Sequence, residues 1–190
     1  ETDRGLHQSA LARGESLFGD NCATCHGAGG RGAVGYPMLA DDVWLWDGTL
    51  DGIEYTLRHG IRHPGDAQTR FSLMPAFGRD GLLSTDQIDG LTHYVLRASG
   101  HAHAADLADS AAPLIQQLCS VCHGANAQGD RIQGAPNLTD REWLYGSTED
   151  AIYATIYNAR NSHMPAWQDR LDDASIKALA VYVHSLGGGE

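Results

Sequence analysis

The sequence is short of three things. No apolar run approaches the roughly 20 residues that a membrane-spanning helix needs. Lys177 is the one lysine, and the 13 basic residues are outnumbered by 24 acids. Cysteine and methionine are sparse, at four and three in 190 residues. The first lack excludes a spanning helix within these residues. The second leaves a formal net charge of −11, which argues against nucleic acid and for a basic partner, because opposite fields speed encounter. The third matters because a single repeated pattern consumes every cysteine. No secretory leader is visible at Glu1, so a mature or trimmed form is expected.

The pattern is Cys22-Ala-Thr-Cys25-His26 and again Cys119-Ser-Val-Cys122-His123. Each is C-x-x-C-H, the attachment signature for c-type haem. Two thiols three positions apart on one helical turn can add to the two vinyl groups along one haem edge, and the next residue then ligates the iron. A zinc half-site would need two more Cys or His ligands near each pair. A thioredoxin-like pair would follow a strand in a βαβ pattern, and none is visible. Two covalently bound haem c groups are therefore the expected cofactors. Cys22, Cys25, Cys119 and Cys122 are their anchors, and His26 and His123 are iron ligands. Covalent haem c is assembled outside the cytoplasm, so the bacterial periplasm is the expected compartment.

The rest of the chain repeats in step with the motifs. Cys22 to Cys119 is an offset of 97, Pro37 to Pro136 and Trp44 to Trp143 are 99, and Met74 to Met164 is 90. The first half thus carries a net insertion of 9 residues, within 60–73. Apolar spacing predicts helices leading into both motifs, from 9 to 18 and from 106 to 122, with Pro113 starting or kinking the second. Further helices are expected at 50–59, 85–98 behind the cap Ser84, 150–158 and 173–185, the last stopped by the glycine-rich 186–190. The fold class is all-α: two tandem class I cytochrome c domains, each wrapped round one haem, at 1–100 and 101–190.

A histidine-held iron needs a sixth ligand or an open position. Met74 and Met164 both lie in Met-Pro-Ala-aromatic, each downstream of a haem motif and just before the last helix of its half. A thioether there completes His/Met coordination and raises the potential. Met38 has Asn137 as its repeat counterpart and reads as packing. His59, His63 and His163 are lesser candidates for the iron. Pro37 and Pro136 are placed to offer a carbonyl to the proximal imidazole. Trp44, Trp143, Phe77 and Trp167 are expected haem walls. Arg62, Arg70 and Arg160 are candidate propionate partners by charge, and His101 and His103 read as linker.

Gly35-Tyr-Pro-x-Leu39, Asp41-Asp-x-Trp-Leu-Trp46, His59-Gly-Ile-Arg62 and Met74-Pro-Ala-Phe-Gly78 together resemble the first haem domain of subunit III, CcoP or FixP, of cbb3-type cytochrome c oxidases. Gly134-Ala-Pro-Asn-Leu-Thr-Asp140, Trp143-Leu-Tyr-Gly146, Met164-Pro-Ala-Trp167 and 182–190 resemble its second. The resemblance implies a dihaem electron-entry subunit. It would receive electrons from a soluble cytochrome c and pass them, through the monohaem subunit II, toward the haem–copper centre, with no catalysis of its own. It also implies axial pairs His26/Met74 and His123/Met164. Two features depart from the family: Met38 stands where asparagine is usual, and the membrane-anchoring segment is absent, so contact with the membrane is expected only through such an anchor or the complex. A free periplasmic dihaem shuttle is the alternative, followed by a dihaem peroxidase or gas sensor, which require an open or labile iron position.

Overall fold

The computed structural model describes residues 2–188. Gly189 and Glu190, part of the expected terminal stop, lie outside the described residues. Eight α-helices are formed among the described residues: α1 Thr2–Asn21, α2 Ala23–His26, α3 Leu50–His59, α4 Thr85–Ala98, α5 Ala105–Leu114, α6 Ser120–His123, α7 Glu149–Asn158 and α8 Asp173–Ser185. No strand occurs among them, only isolated bridges such as Ile61 with Met164.

Local chemistry explains the boundaries, and the two halves use the same devices. Thr49 starts α3 by accepting from Gly52 N, and Thr148, 99 residues on, starts α7 by accepting from Ala151 N. Ser84 and Gln87 form a reciprocal capping box on α4, while Asp172 caps α8 through Ser175 N. Ser84→Ala should cost about 1 kcal/mol of stability, read as faster amide exchange in α4. Each haem motif ends on a left-handed glycine, Gly27 at φ 75° and Gly124 at φ 77°, which turns the chain back directly after the histidine. Pro113 lies inside α5; lacking an N–H, it frees a carbonyl one turn earlier, and the helix widens into a π-helical stretch at Ile115–Cys119 before α6.

By packing, the chain forms two compact units that cut across the halves 1–100 and 101–190. Unit 1 joins 1–71 to 162–190, and unit 2 is 72–161. In unit 1, α1 crosses α8 and α3 packs on α8 around Phe18, Ile53, Leu57, Ile176, Leu179 and Val183. In unit 2, α5 packs on α4, and α4 on α7, around Ile88, Leu91, Val95, Ile115, Ile152 and Ile156. The last helix of each half has thus been exchanged. The physical reason is the connection 99–104: six residues between α4 and α5 suit antiparallel neighbours. With α4 taken by α5, Leu17 and Phe18 of α1 are covered by α8.

Candidate functional site

Each Cys-x-x-Cys-His turn is a one-turn helix whose histidine is oriented from behind. His26 Nδ1–H donates to the Pro37 carbonyl at 3.1 Å, and His123 Nδ1–H donates to the Pro136 carbonyl at 2.9 Å. A carbonyl only accepts, so the proton sits on Nδ1 and the Nε2 lone pair is left for a metal. Burial pushes both imidazoles below the ordinary histidine range, opposed by those carbonyl bonds. The neutral form, the one that ligates iron, is favoured. The four cysteines are unbridged. Burial, and then the neighbouring thiol, push Cys22 and Cys119 up to about 11. Two free thiols, one neutral imidazole with an open Nε2, and a left-handed glycine behind it are a donor set that suits haem c in each unit.

The exchange of helices carries the methionines with it. Met164 packs against the cluster that holds Cys22, together with Leu39, Trp44 and Trp167. Met74 packs against the cluster that Cys119, Leu138 and Trp143 also join, beside Phe77. Met164 lies in the unit of His26, and Met74 in the unit of His123, the reverse of the placement that the resemblance to the family implies. Trp44 and Trp143 stay with the motifs of their own halves, whereas Phe77 and Trp167 change over.

Both methionines are held at the backbone by two hydrogen bonds, in two different ways. Ile61 N donates to the Met164 carbonyl at 3.0 Å, and Met164 N to the Ile61 carbonyl at 2.9 Å. At the other methionine the side chain of Asn161 does the same work: Met74 N donates to Oδ1 at 3.0 Å, and Nδ2 donates to the Met74 carbonyl at 2.9 Å. Sequence reasoning missed Asn161. Its repeat neighbourhood, 99 residues after Ile61–Arg62, was the available signal.

The lesser candidates are engaged elsewhere. His59 is buried, with Nδ1 3.0 Å from Asp66, which also accepts from Gln168. His63 stacks on His163 with ring centroids 6.1 Å apart. Arg70 donates to Thr56 Oγ1 and the Gly52 carbonyl and lies over the Trp46 and Tyr55 rings. Arg62 donates to the Ser162 carbonyl, and Arg160 lies over Tyr145. Met38 is exposed on the loop after Pro37.

Known proteins resemble this chain along its whole length. The cytochrome c family model matches residues 11–99, and the model of cbb3-type cytochrome c oxidase subunit III matches 106–183. These matches follow sequence order, which each half retains even though its last helix packs elsewhere. The chain is 47% identical over 188 residues to the cbb3-type cytochrome c oxidase subunit CcoP of Cereibacter sphaeroides, covering 99% of this chain and 65% of the relative. It is 49% identical over 197 residues to CcoP of Azospirillum sp. (strain B510), covering all of this chain and 67% of the relative. It is 50% identical over 191 residues to the subunit FixP of Bradyrhizobium diazoefficiens, covering all of this chain and 66% of the relative. The chain thus spans about two thirds of the length of the curated relatives it matches. Two cytochrome c folds with complete attachment motifs mean two covalently bound haem c groups. By motif, fold and whole-chain identity, this chain belongs to the CcoP/FixP family, subunit III of the cbb3-type cytochrome c oxidases.

Proposed function

We propose that the chain is the electron relay of such an oxidase in the bacterial periplasm. It receives electrons one at a time from a soluble basic cytochrome c and passes them, by way of the monohaem subunit II, toward the haem–copper centre. One observation carries the reading: a Met-Pro-Ala-aromatic segment is packed into each unit beside a complete Cys-x-x-Cys-His turn. Each unit then offers its iron one imidazole and one thioether, His26 with Met164 and His123 with Met74. The bound haem supplies reversible one-electron chemistry. The protein's own residues do the rest. Pro37 and Pro136 fix the imidazole planes, the thioethers raise the potential, and Ile61 and Asn161 hold the methionines in position. With an imidazole and a thioether both taken up, a bound haem would keep no coordination position for peroxide or a gas, which favours electron transfer over catalysis.

A redox-titrated optical spectrum of the purified holoprotein tests this. The expected result is two haems per chain, the weak Met–Fe(III) band at the red end at full two-haem strength, and no carbon monoxide binding when reduced. A half-strength band together with carbon monoxide binding would rule the reading out and bring a sensor or peroxidase forward.

A further inference from the structure

The duplication provides an internal comparison of the two haem edges. On the helix side of the second edge stand Leu118 and Val121, 41% and 71% exposed; their repeat counterparts 97 residues earlier are the polar Asn21 and Thr24. On the loop side of the second edge stands Ile132, 87% exposed. It is held there by an ordered turn. Ile132 N donates to Asp130 Oδ1 at 2.8 Å, and Gln133 Nε2 donates both to Asp130 Oδ2 at 3.2 Å and to the Val121 carbonyl at 3.0 Å. The last bond ties the loop to the motif helix, so the loop and helix aliphatics flank the same cysteine pair. At the first edge the exposed apolar side chains, Val34, Tyr36 and Met38, all belong to the loop, and the helix side is polar.

Ile132, pinned at a turn and almost fully exposed, contributes nothing to the core, and with the exposed Val121 and the less exposed Leu118 it would give the thioether edge of a bound haem a small apolar surround. That is the anatomy of a transient redox encounter, which buries little area and has a centre depleted of charge. The charge of the unit names the partner. Unit 2 carries 5 arginines against 10 acids (5 − 10 = −5), within the −11 of the whole chain. We infer that Leu118, Val121 and Ile132 form the docking face for a cationic one-electron carrier, and that electrons enter through the second haem edge. This rests on the relay reading above and adds to it the point of entry.

The test is the second-order rate of electron transfer, at low salt, from a reduced lysine-rich class I cytochrome c to the oxidised holoprotein. Three variants each add one positive charge at an exposed position: Ile132→Lys, Val121→Lys and Val34→Lys. They change the net charge equally, so differences among them report local docking alone. Haem content and both potentials serve as the check that each variant is intact. The expected result is a tenfold or greater fall for Ile132→Lys and for Val121→Lys, against less than twofold for Val34→Lys. An equal response of all three, including no response, overturns the inference, because only the overall field would then matter or another chain would cover this face. A larger fall for Val34→Lys overturns it in favour of the first edge. If the unmodified protein takes no electrons from the probe, the relay reading itself fails.

Discussion

With the first haem removed by Cys22→Ala/Cys25→Ala, the remaining haem should keep its Met–Fe(III) band when Met164 is replaced by alanine and lose it when Met74 is. The mirror experiment, in Cys119→Ala/Cys122→Ala, should give the opposite: Met164→Ala abolishes the band and Met74→Ala spares it. The expectation follows from the crossed packing, in which Met164 lies with Cys22 and Trp44, and Met74 with Cys119 and Trp143. The affected haem should also fall in potential by on the order of 0.1–0.3 V, a fraction of the ~0.8 V over which axial ligands set haem potentials. Loss of the band with Met74→Ala while only the first haem is present would restore the tandem pairing and contradict the exchange. The thioether is the group at issue, so Met164→Leu, which keeps most of the side-chain volume, should give the same spectrum as Met164→Ala and separates ligation from packing.

The local motifs and the helix pairing differ in how readable they are from sequence. The haem motifs, their proximal prolines and the Met-Pro-Ala-aromatic segments stand at matched offsets. Such local patterns carry their chemistry in spacing alone. What sequence order does not fix is which of two near-equivalent helices covers which partner. The stripe Ile88, Leu91, Val95 on α4 and the stripe Ile176, Leu179, Val183 on α8 are both suited to an N-terminal-type helix, so repeat logic assigns each to its own half. The discriminating feature is the six-residue connection between α4 and α5, which is legible as the border between the two repeats and packs as a tight helix–helix turn. The role of Asn161 is hidden in the sequence for a related reason. Its side chain replaces a backbone pair, and that substitution is visible only when Met74 and the end of α7 are seen in one unit.

Gly14 offers a test of the exchange that does not depend on the iron. It lies at the crossing of α1 with α8, where a β-carbon would overlap the Ala178 carbonyl oxygen and lie 2.5 Å from Tyr182 Cβ. These obstacles are helix backbone and a β-carbon, so neither can swing aside. The crossing is further fixed by Arg13, which donates to Ser175 Oγ at 2.7 Å and pairs with Asp172, and by the Phe18–Tyr182 ring contact. Gly14→Ala should therefore destabilise unit 1 by about 1–3 kcal/mol, the usual cost of overpacking, even after the ~1 kcal/mol that alanine gains over glycine inside a helix. Gly90, at the α4–α5 contact of unit 2, is a weaker case. Its added β-carbon would sit 3.2 Å from the Leu107 carbonyl oxygen and from Ser110 Oγ, so crowding and propensity nearly cancel, and Gly90→Ala should change stability by less than about 1 kcal/mol. Gly19, exposed on α1 with nothing near its missing β-carbon, is the control: Gly19→Ala should stabilise by up to about 1 kcal/mol. Because the two units need not unfold together, the measurement is amide exchange resolved by peptide. Gly14→Ala should speed exchange in α8 and leave α4 protected. Faster exchange in α4 with α8 unchanged would mean that α1 packs on the last helix of its own half, and the crossed pairing of His26 with Met164 would fall with it.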